Sequence, residues 1–166
     1  MKDLFVKALA NMERRHARYD TRTIAKAWVE IGKNNPVERV TTPKGLVIDV
    51  RRKVDFSKVT YEAFAPGIKS RVAWMHTGVP MGGRVQVTNA NVYEVGNVDY
   101  RRQGIATAIY DLIERDVQAA GGEGLEPHWG SMNDEAIAFW KKRRPDHATD
   151  IAKLNNLGTM ASGLFD

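Results

Sequence analysis

The stretch of this chain best equipped for chemistry is Arg101-Arg102-Gln103-Gly104-Ile105-Ala106-Thr107. It lies between a strand-like segment, Val92 to Val98, and a run with helical apolar spacing. The first turn of a helix carries free backbone N–H groups and the positive end of the macrodipole. Gly104 and Ala106 have little or no side chain, so a ligand can approach the backbone closely. With the two flanking arginines, this is a pocket for a phosphate or pyrophosphate. An R-x-x-G-x-A string is short, and a plain strand-to-helix turn reads the same way. Two nearby groups could move protons. Glu94 interrupts an otherwise apolar strand (Val92, Tyr93, Val95), surroundings that raise a carboxyl toward the range useful in a base. An outward-facing glutamate on a half-exposed strand is the structural alternative. His128 ends a short segment, Gly124 to His128, and could relay a proton; a surface histidine beside Pro127 is the alternative.

The elements that must position these groups can be read from periodicity. Phe5, Ala8, Leu9, Met12, His16 and Tyr19 mark one amphipathic helix, with His16 a packed or boundary residue. Asp20-Thr21 offers a fresh N-cap, Ile24, Ala27, Trp28 and Ile31 mark a second helix, and Asn34-Asn35-Pro36 stops it. The middle alternates with period two at Leu46, Ile48 and Val50, at Val59, Tyr61 and Ala63, at Val72 and Trp74, and at Val85 and Val87. Turn residues at Pro43-Lys44-Gly45, Asp55-Phe56-Ser57, Pro66-Gly67 and Gly78 to Gly83 separate these runs, which predicts an antiparallel meander. The period then returns to 3.6 at Ile105, Ala108, Ile109, Leu112, Ile113, Val117 and Ala120, and Gly121-Gly122 stops that helix. Tyr110 is expected to face away from the stripe, in a structural role. Ser131 is a candidate N-cap for a last helix carrying Ala136, Phe139 and Trp140, ended by Pro145. The expectation is a single domain over residues 1–166, of mixed α/β (α+β) class, with a helical segment over residues 1–36.

Composition narrows the chemistry. The chain of 166 residues has no cysteine, which excludes disulfide frameworks, zinc fingers, iron–sulfur clusters and a thiol nucleophile. No metal site is expected. No apolar run reaches the roughly 18–20 residues of a membrane span, and the N-terminus lacks a signal peptide's apolar core, so the expected location is cytoplasmic, with no membrane partner. The net charge of +5 gathers at Arg14-Arg15, Arg51-Arg52-Lys53, Arg101-Arg102 and Lys141 to Arg144. A basic balance favours an anionic partner, such as nucleic acid or a phosphate-rich cofactor, or else is solvated surface charge.

Arg101-Arg102-Gln103-Gly104-Ile105-Ala106 matches an R/Q-x-x-G-x-G/A signature, and Asn133-Asp134-Glu135-Ala136-Ile137-Ala138-Phe139-Trp140 matches N-x-x-A-x-x-F-Y but for its last residue. In this order the two resemble the paired motifs of the GCN5-related N-acetyltransferases, and the run from Tyr100 to Ala108 is similar to acetyltransferases of phages and mobile elements. The likeness covers roughly residues 70–144. It implies a mostly antiparallel central sheet flanked by helices and acetyl-CoA as cosubstrate. The pyrophosphate would lie on the amides of Arg102, Gln103, Gly104, Ile105, Ala106 and Thr107, beside Arg101. The pantetheine arm would run along the strand ending near Val98 and bond Asn133, with Phe139 and Trp140 walling the thioester. An amine acceptor would attack directly, without a covalent enzyme intermediate.

The chain departs from that pattern twice. Trp140 stands where the family often has a tyrosine to protonate the CoA sulfur, and an indole N–H is no useful acid. Tyr100, Tyr110 or His128 could substitute, or no acid is used. The strand before the loop is also a residue longer than usual and contains Gly96-Asn97, which predicts a bulge. The base is Glu94 or His128. The acceptor could be a small amine, a protein amine or an aminoacyl-tRNA, the last using the basic clusters as phosphate contacts. A catalytically silent module that binds nucleic acid or protein through its basic surface is the other reading, and a homodimer is compatible with either.

Overall fold

The computed structural model describes residues 18–128 and 134–143. Residue contacts divide the chain into two compact units, Arg15–Glu126, and Met1–Arg14 with Pro127–Asp166.

The larger unit opens with helix α1, Thr21–Asn34. Asp20 caps it, accepting from the Thr23 backbone N–H at 3.2 Å and the Thr23 hydroxyl at 2.8 Å. Ile24, Trp28, Val29 and Gly32 form its buried face. That face is turned slightly from the expected stripe, leaving Ala27 and Ile31 half-buried. A Cβ at Gly32 would lie 3.0 Å from Val54 Cγ2, so glycine here lets the helix approach the sheet. Asn35 caps the far end through its side-chain N–H to the Ile31 carbonyl, and Pro36 follows.

Five strands then run as an antiparallel meander: β1 Val37–Thr41, β2 Val47–Asp55, β3 Lys58–Phe64, β4 Ala73–Thr77 and β5 Arg84–Val92. Strand β1 carries no apolar alternation in V-E-R-V-T and is not expected from the sequence. On one face of the sheet Ile48, Val50, Val59, Tyr61, Ala63, Ala73, Met75, Val85 and Val87 are buried. Helix α1 packs on β2 and β3, and helix α2, Ile105–Ala119, packs on β3, β4, β5 and α1. All seven apolar positions expected on α2 are buried. Tyr110, expected off the stripe in a structural role, is buried too, at 8% exposure. Gly121, in the left-handed region with φ 91°, ends the helix.

The chain then forms β8, Gly124–Pro127, beside β5. The Gly83 carbonyl accepts from Glu123 N and Gly124 N, while Gln86 bonds Glu126. These contacts advance in the same direction along both segments, so β8 runs parallel to β5 and α2 is the crossover between them. The result is a six-stranded, mostly antiparallel α+β sheet in the order β1-β2-β3-β4-β5-β8.

The expected strand from Val92 to Val98 does not form as one element. Strand β5 ends at Val92, and a separate two-stranded hairpin follows, β6 Glu94–Val95 and β7 Val98–Asp99. Gly96 (φ 57°) and Asn97 (φ 65°) both take the left-handed conformation, which is the two-residue hairpin turn that Gly and Asn favour. The predicted bulge is therefore a complete reversal.

Of the smaller unit, the described element is helix α3, Asp134–Arg143. Trp140 is buried, and Phe139 meets it edge-to-face at 5.8 Å between ring centroids.

Candidate functional site

The turn Tyr100 to Gly104 leads directly into α2. Its entry is fixed by Asp99, whose carboxylate accepts from the Arg101 backbone N–H (2.9 Å) and pairs with the guanidinium through two bonds (2.8 and 2.9 Å). Those bonds hold the Asp99 carboxyl below its usual range. Arg101 is thus partly committed to its own turn. Arg102 and Gln103 are exposed, and Arg102 takes a positive φ of 58°.

Gly104 is the N-cap residue, left-handed at φ 78°, and no side chain caps the helix. The N–H groups of Ile105, Ala106 and Thr107 therefore have no intrahelical acceptor. Ile105 is buried, whereas Ala106 and Thr107 are half-exposed and open the helix end to solvent. The glycine has a structural reason as well. A Cβ on Gly104 would lie 2.9 Å from Pro43 Cδ, in the β1–β2 connection. Access to the amides is thus from the side away from Pro43.

Along β5 the partners change. The strand has nine residues, and β4 covers its length from Val87 to Val92. Strand β8 has four residues and pairs at the start of β5. Thr88 to Asn91 are exposed, and among the described residues no strand pairs with β5 there on the side of β8. Among the described residues, the β5 backbone next to the helix entry therefore has no strand partner on that side.

The expected proton-moving groups are dispersed. Glu94 is exposed on the small hairpin, facing Asp99 across it, so the apolar surroundings that recommended it are not there. Tyr100 is buried at 7% exposure, and its N–H donates to the Tyr93 carbonyl. His128 directly follows β8; it is half-buried, and its Nδ1 has no hydrogen-bond partner among the described residues. Val98 is exposed on β7, not at the end of the long strand. Phe139 and Trp140 lie on α3 in the smaller unit, and Asn133, like His16 and Ser131, lies outside the described residues.

One group behind the site is not among those expected from the sequence. Asp116 sits on the buried face of α2, and its carboxylate receives Arg52 Nε at 2.6 Å and Nη2 at 3.0 Å. Tyr61 donates to the same carboxylate at 2.9 Å, and Trp28 donates to Tyr61. Arg52 also bonds Glu38 (2.6 Å) and the Asn35 carbonyl (2.8 Å). Burial works against the Arg52 charge, but its bonds to Asp116 and Glu38 prevail and hold its pKa above the ordinary value. Burial and the Asp116 charge push the Tyr61 hydroxyl up. Arg115 forks onto Glu38 with two 2.7 Å bonds and, with Arg52, lowers that carboxyl to about 2 against the opposing effect of burial. The network fastens α2 to α1, β1, β2 and β3. It also corrects the basic cluster at Arg51-Arg52-Lys53: Arg52 is buried and paired, so only Arg51 and Lys53 can meet a phosphate. Spacing could have found Asp116, which lies seven residues after Ile109 and three after Ile113 on the same stripe.

A groove of about 450 Å³ opens between β1 and α2, lined by Glu38, Thr41, Pro43, Ala108, Asp111 and Arg115 among others. Its Glu38 and Arg115 neutralise each other. Among the described residues no group of three or more His, Asp or Glu side chains is arranged to hold a metal, and no helix is long and apolar enough to cross a membrane. No protein-family model matches this chain, and neither a curated protein nor a solved structure matches it significantly.

Proposed function

We propose that this chain is an N-acyltransferase of the GCN5-related type that moves an acetyl group from acetyl-CoA to an amine. The observation that carries the reading is the β5–turn–α2–β8 crossover. It presents an uncapped helix start and, beside it, a strand edge that no strand among the described residues covers beyond β8. A pyrophosphate suits the first, because backbone N–H groups and the helix dipole favour an anion. An amide-bearing arm such as pantetheine suits the second, because it can bond an unpaired strand edge. The Arg101–Thr107 motif and its later partner Asn133–Trp140 support the same assignment from sequence.

In the reaction the acceptor ammonium first gives up a proton. The amine nitrogen then attacks the thioester carbonyl carbon; a C–N bond forms, the C–S bond breaks, and CoA leaves as a thiolate that takes up a proton. Of the two candidate bases His128, in the smaller unit, is preferred, because its Nδ1 has no hydrogen-bond partner among the described residues while Glu94 is exposed opposite Asp99. Tyr100 is the candidate acid nearest the loop in sequence. A second reading, a module that binds CoA without turnover, is favoured by Trp140, whose indole cannot serve as the acid often found at that place.

Ala106→Glu tests the site. The new carboxylate lies in the first turn of α2, which now has no acidic residue, and there it stabilises the helix by about 0.3–1 kcal/mol. It also repels a pyrophosphate. The expected result is an unchanged or raised melting temperature with acetyl-CoA binding lost in calorimetry. Unaltered affinity would remove the loop from the site. Release of free CoA thiol with a panel of amines separates the enzyme from the silent module.

A further inference from the structure

The face of the sheet turned away from α1 and α2 is unlike an ordinary solvated surface. Cross-strand register sets Arg51, Glu62, Trp74 and Asn91 in one row across β2, β3, β4 and β5. Lys53 and Thr60 pair in the next row, as do His76 and Asn89. Rings and cations are interleaved there. The Arg51 guanidinium stacks over Phe64 at 4.2 Å, and Arg71 lies over Trp74 at 5.4 Å. Trp74 and His76, two residues apart on β4, have ring centroids 4.4 Å apart, and the Trp74 N–H is bonded to the Tyr93 hydroxyl.

The charges are arranged with the same bias. The carboxylates of Asp49 and Glu62 are paired with Arg39 and Arg71. Arg51 and Lys53 are both exposed and form no ion pair among the described residues, although the Arg51 charge helps hold the Asp49 carboxyl low beside Arg39. Phe64 and Trp74 are half-exposed and His76 is exposed. A protein partner could use such rings, but the surplus cations set between them match a ligand that alternates anions with flat π-faces. That is the chemistry of an unpaired nucleic-acid strand, whose bases stack on aromatic rings and arginine planes while its phosphates meet cations.

We propose that this face, centred on Trp74 and Arg51, binds single-stranded nucleic acid. The surface uses no residue of the turn before α2, so it stands whether or not the acyl-transfer reading does. A duplex is disfavoured, because its bases are stacked on one another and cannot lie on the rings.

The test uses the full chain and fluorescence anisotropy with labelled single-stranded RNA and DNA of about 12 nucleotides, with the corresponding duplex as comparison. Single strands should bind more tightly than duplex, and binding should weaken steeply between roughly 50 and 200 mM salt. Trp74→Leu should weaken binding about 5- to 100-fold by removing a stacking ring. Arg51→Ala/Lys53→Ala, at two exposed positions that do not endanger folding, should reduce the slope of log affinity against log salt by about 1.4. The proposal is overturned if no single strand binds, if duplex binds equally well, or if the double variant keeps the parent's affinity and salt slope.

Discussion

Arg52→Met is the sharpest test of how α2 is held. The Arg52 side chain is 1% exposed and that of Asp116 3%. Removing the guanidinium takes away its two bonds to Asp116, its bond to Glu38 and the satisfaction of the Asn35 carbonyl. Asp116 keeps the Tyr61 hydroxyl at 2.9 Å and a 3.4 Å contact with Arg115. Methionine fills most of the volume, so the cost is that of a buried charge that has lost its main partner, about 3–5 kcal/mol. Against a total stability of roughly 5–15 kcal/mol this is a large share. For a chain of this length it lowers the melting temperature by about 6–20 °C. Arg51→Met is the matched control: the same substitution one residue earlier, on the opposite face, should stay within about 0.5 kcal/mol. Urea unfolding of parent and both variants, at constant slope, reads the difference. If Arg52→Met unfolds at the same midpoint as Arg51→Met, the pair does not fasten the helix and the assignment of the network fails.

Three further predictions follow from the geometry. Glu38 is held at about 2, below its ordinary 4.5, so its contribution is present above about pH 4.5 and disappears as the pH falls from there toward 2. Glu38→Gln should remove on the order of 2 kcal/mol of that acid-side dependence, read by unfolding between pH 2 and 7, and an unchanged profile would contradict it. Gly104→Ala must place a side chain at positive φ and close to Pro43, and should cost about 1–3 kcal/mol, more than Gly96→Ala, which has open space around it; equal melting temperatures would contradict the contact. With a confirmed acceptor amine, His128→Gln should lower turnover by about 10²–10⁴-fold and Glu94→Gln by less than about threefold; the reverse order would return the base to Glu94.

The sequence revealed those features in which local spacing and tertiary packing agree. Strands β2 to β5 and helix α2 follow directly from their periods, because one face of each is buried against a single layer. Asp20 starts its helix and Asn35 and Gly121 stop theirs through local bonds or backbone preference, and all three are legible for that reason. Strand β1 is not, since its inward positions are Glu38 and Val40 and it pairs on one side only. Gly96-Asn97 is legible as turn chemistry, but whether two turn-formers bulge a strand or reverse it depends on what the next residues can pair with. Arg52 looked like one of three surface cations, and only its partner, 64 residues away, reveals that it is inside. The loop before α2 was legible in composition, whereas the role of Pro43 in requiring glycine at 104 is a long-range contact that no spacing reports.

The meander has a consequence for the order in which the molecule assembles. Each pairing from β1 to β5 joins neighbours along the chain, so each closes a short loop at small entropic cost and can form as the polypeptide emerges. The contact between β5 and β8 spans 40 residues, from Gln86 to Glu126, and has to wait for α2 to fold and cross over. Until then the side of β5 that β8 will occupy has no partner along its whole length, a template for pairing with another copy. Completion of the crossover shortens that exposed edge to the stretch beyond Gln86, where Asn89 and Asn91 are poor strand formers. The last pairing to form thus protects the nascent sheet from self-association and, among the described residues, leaves the far end of β5 without a strand partner on that side.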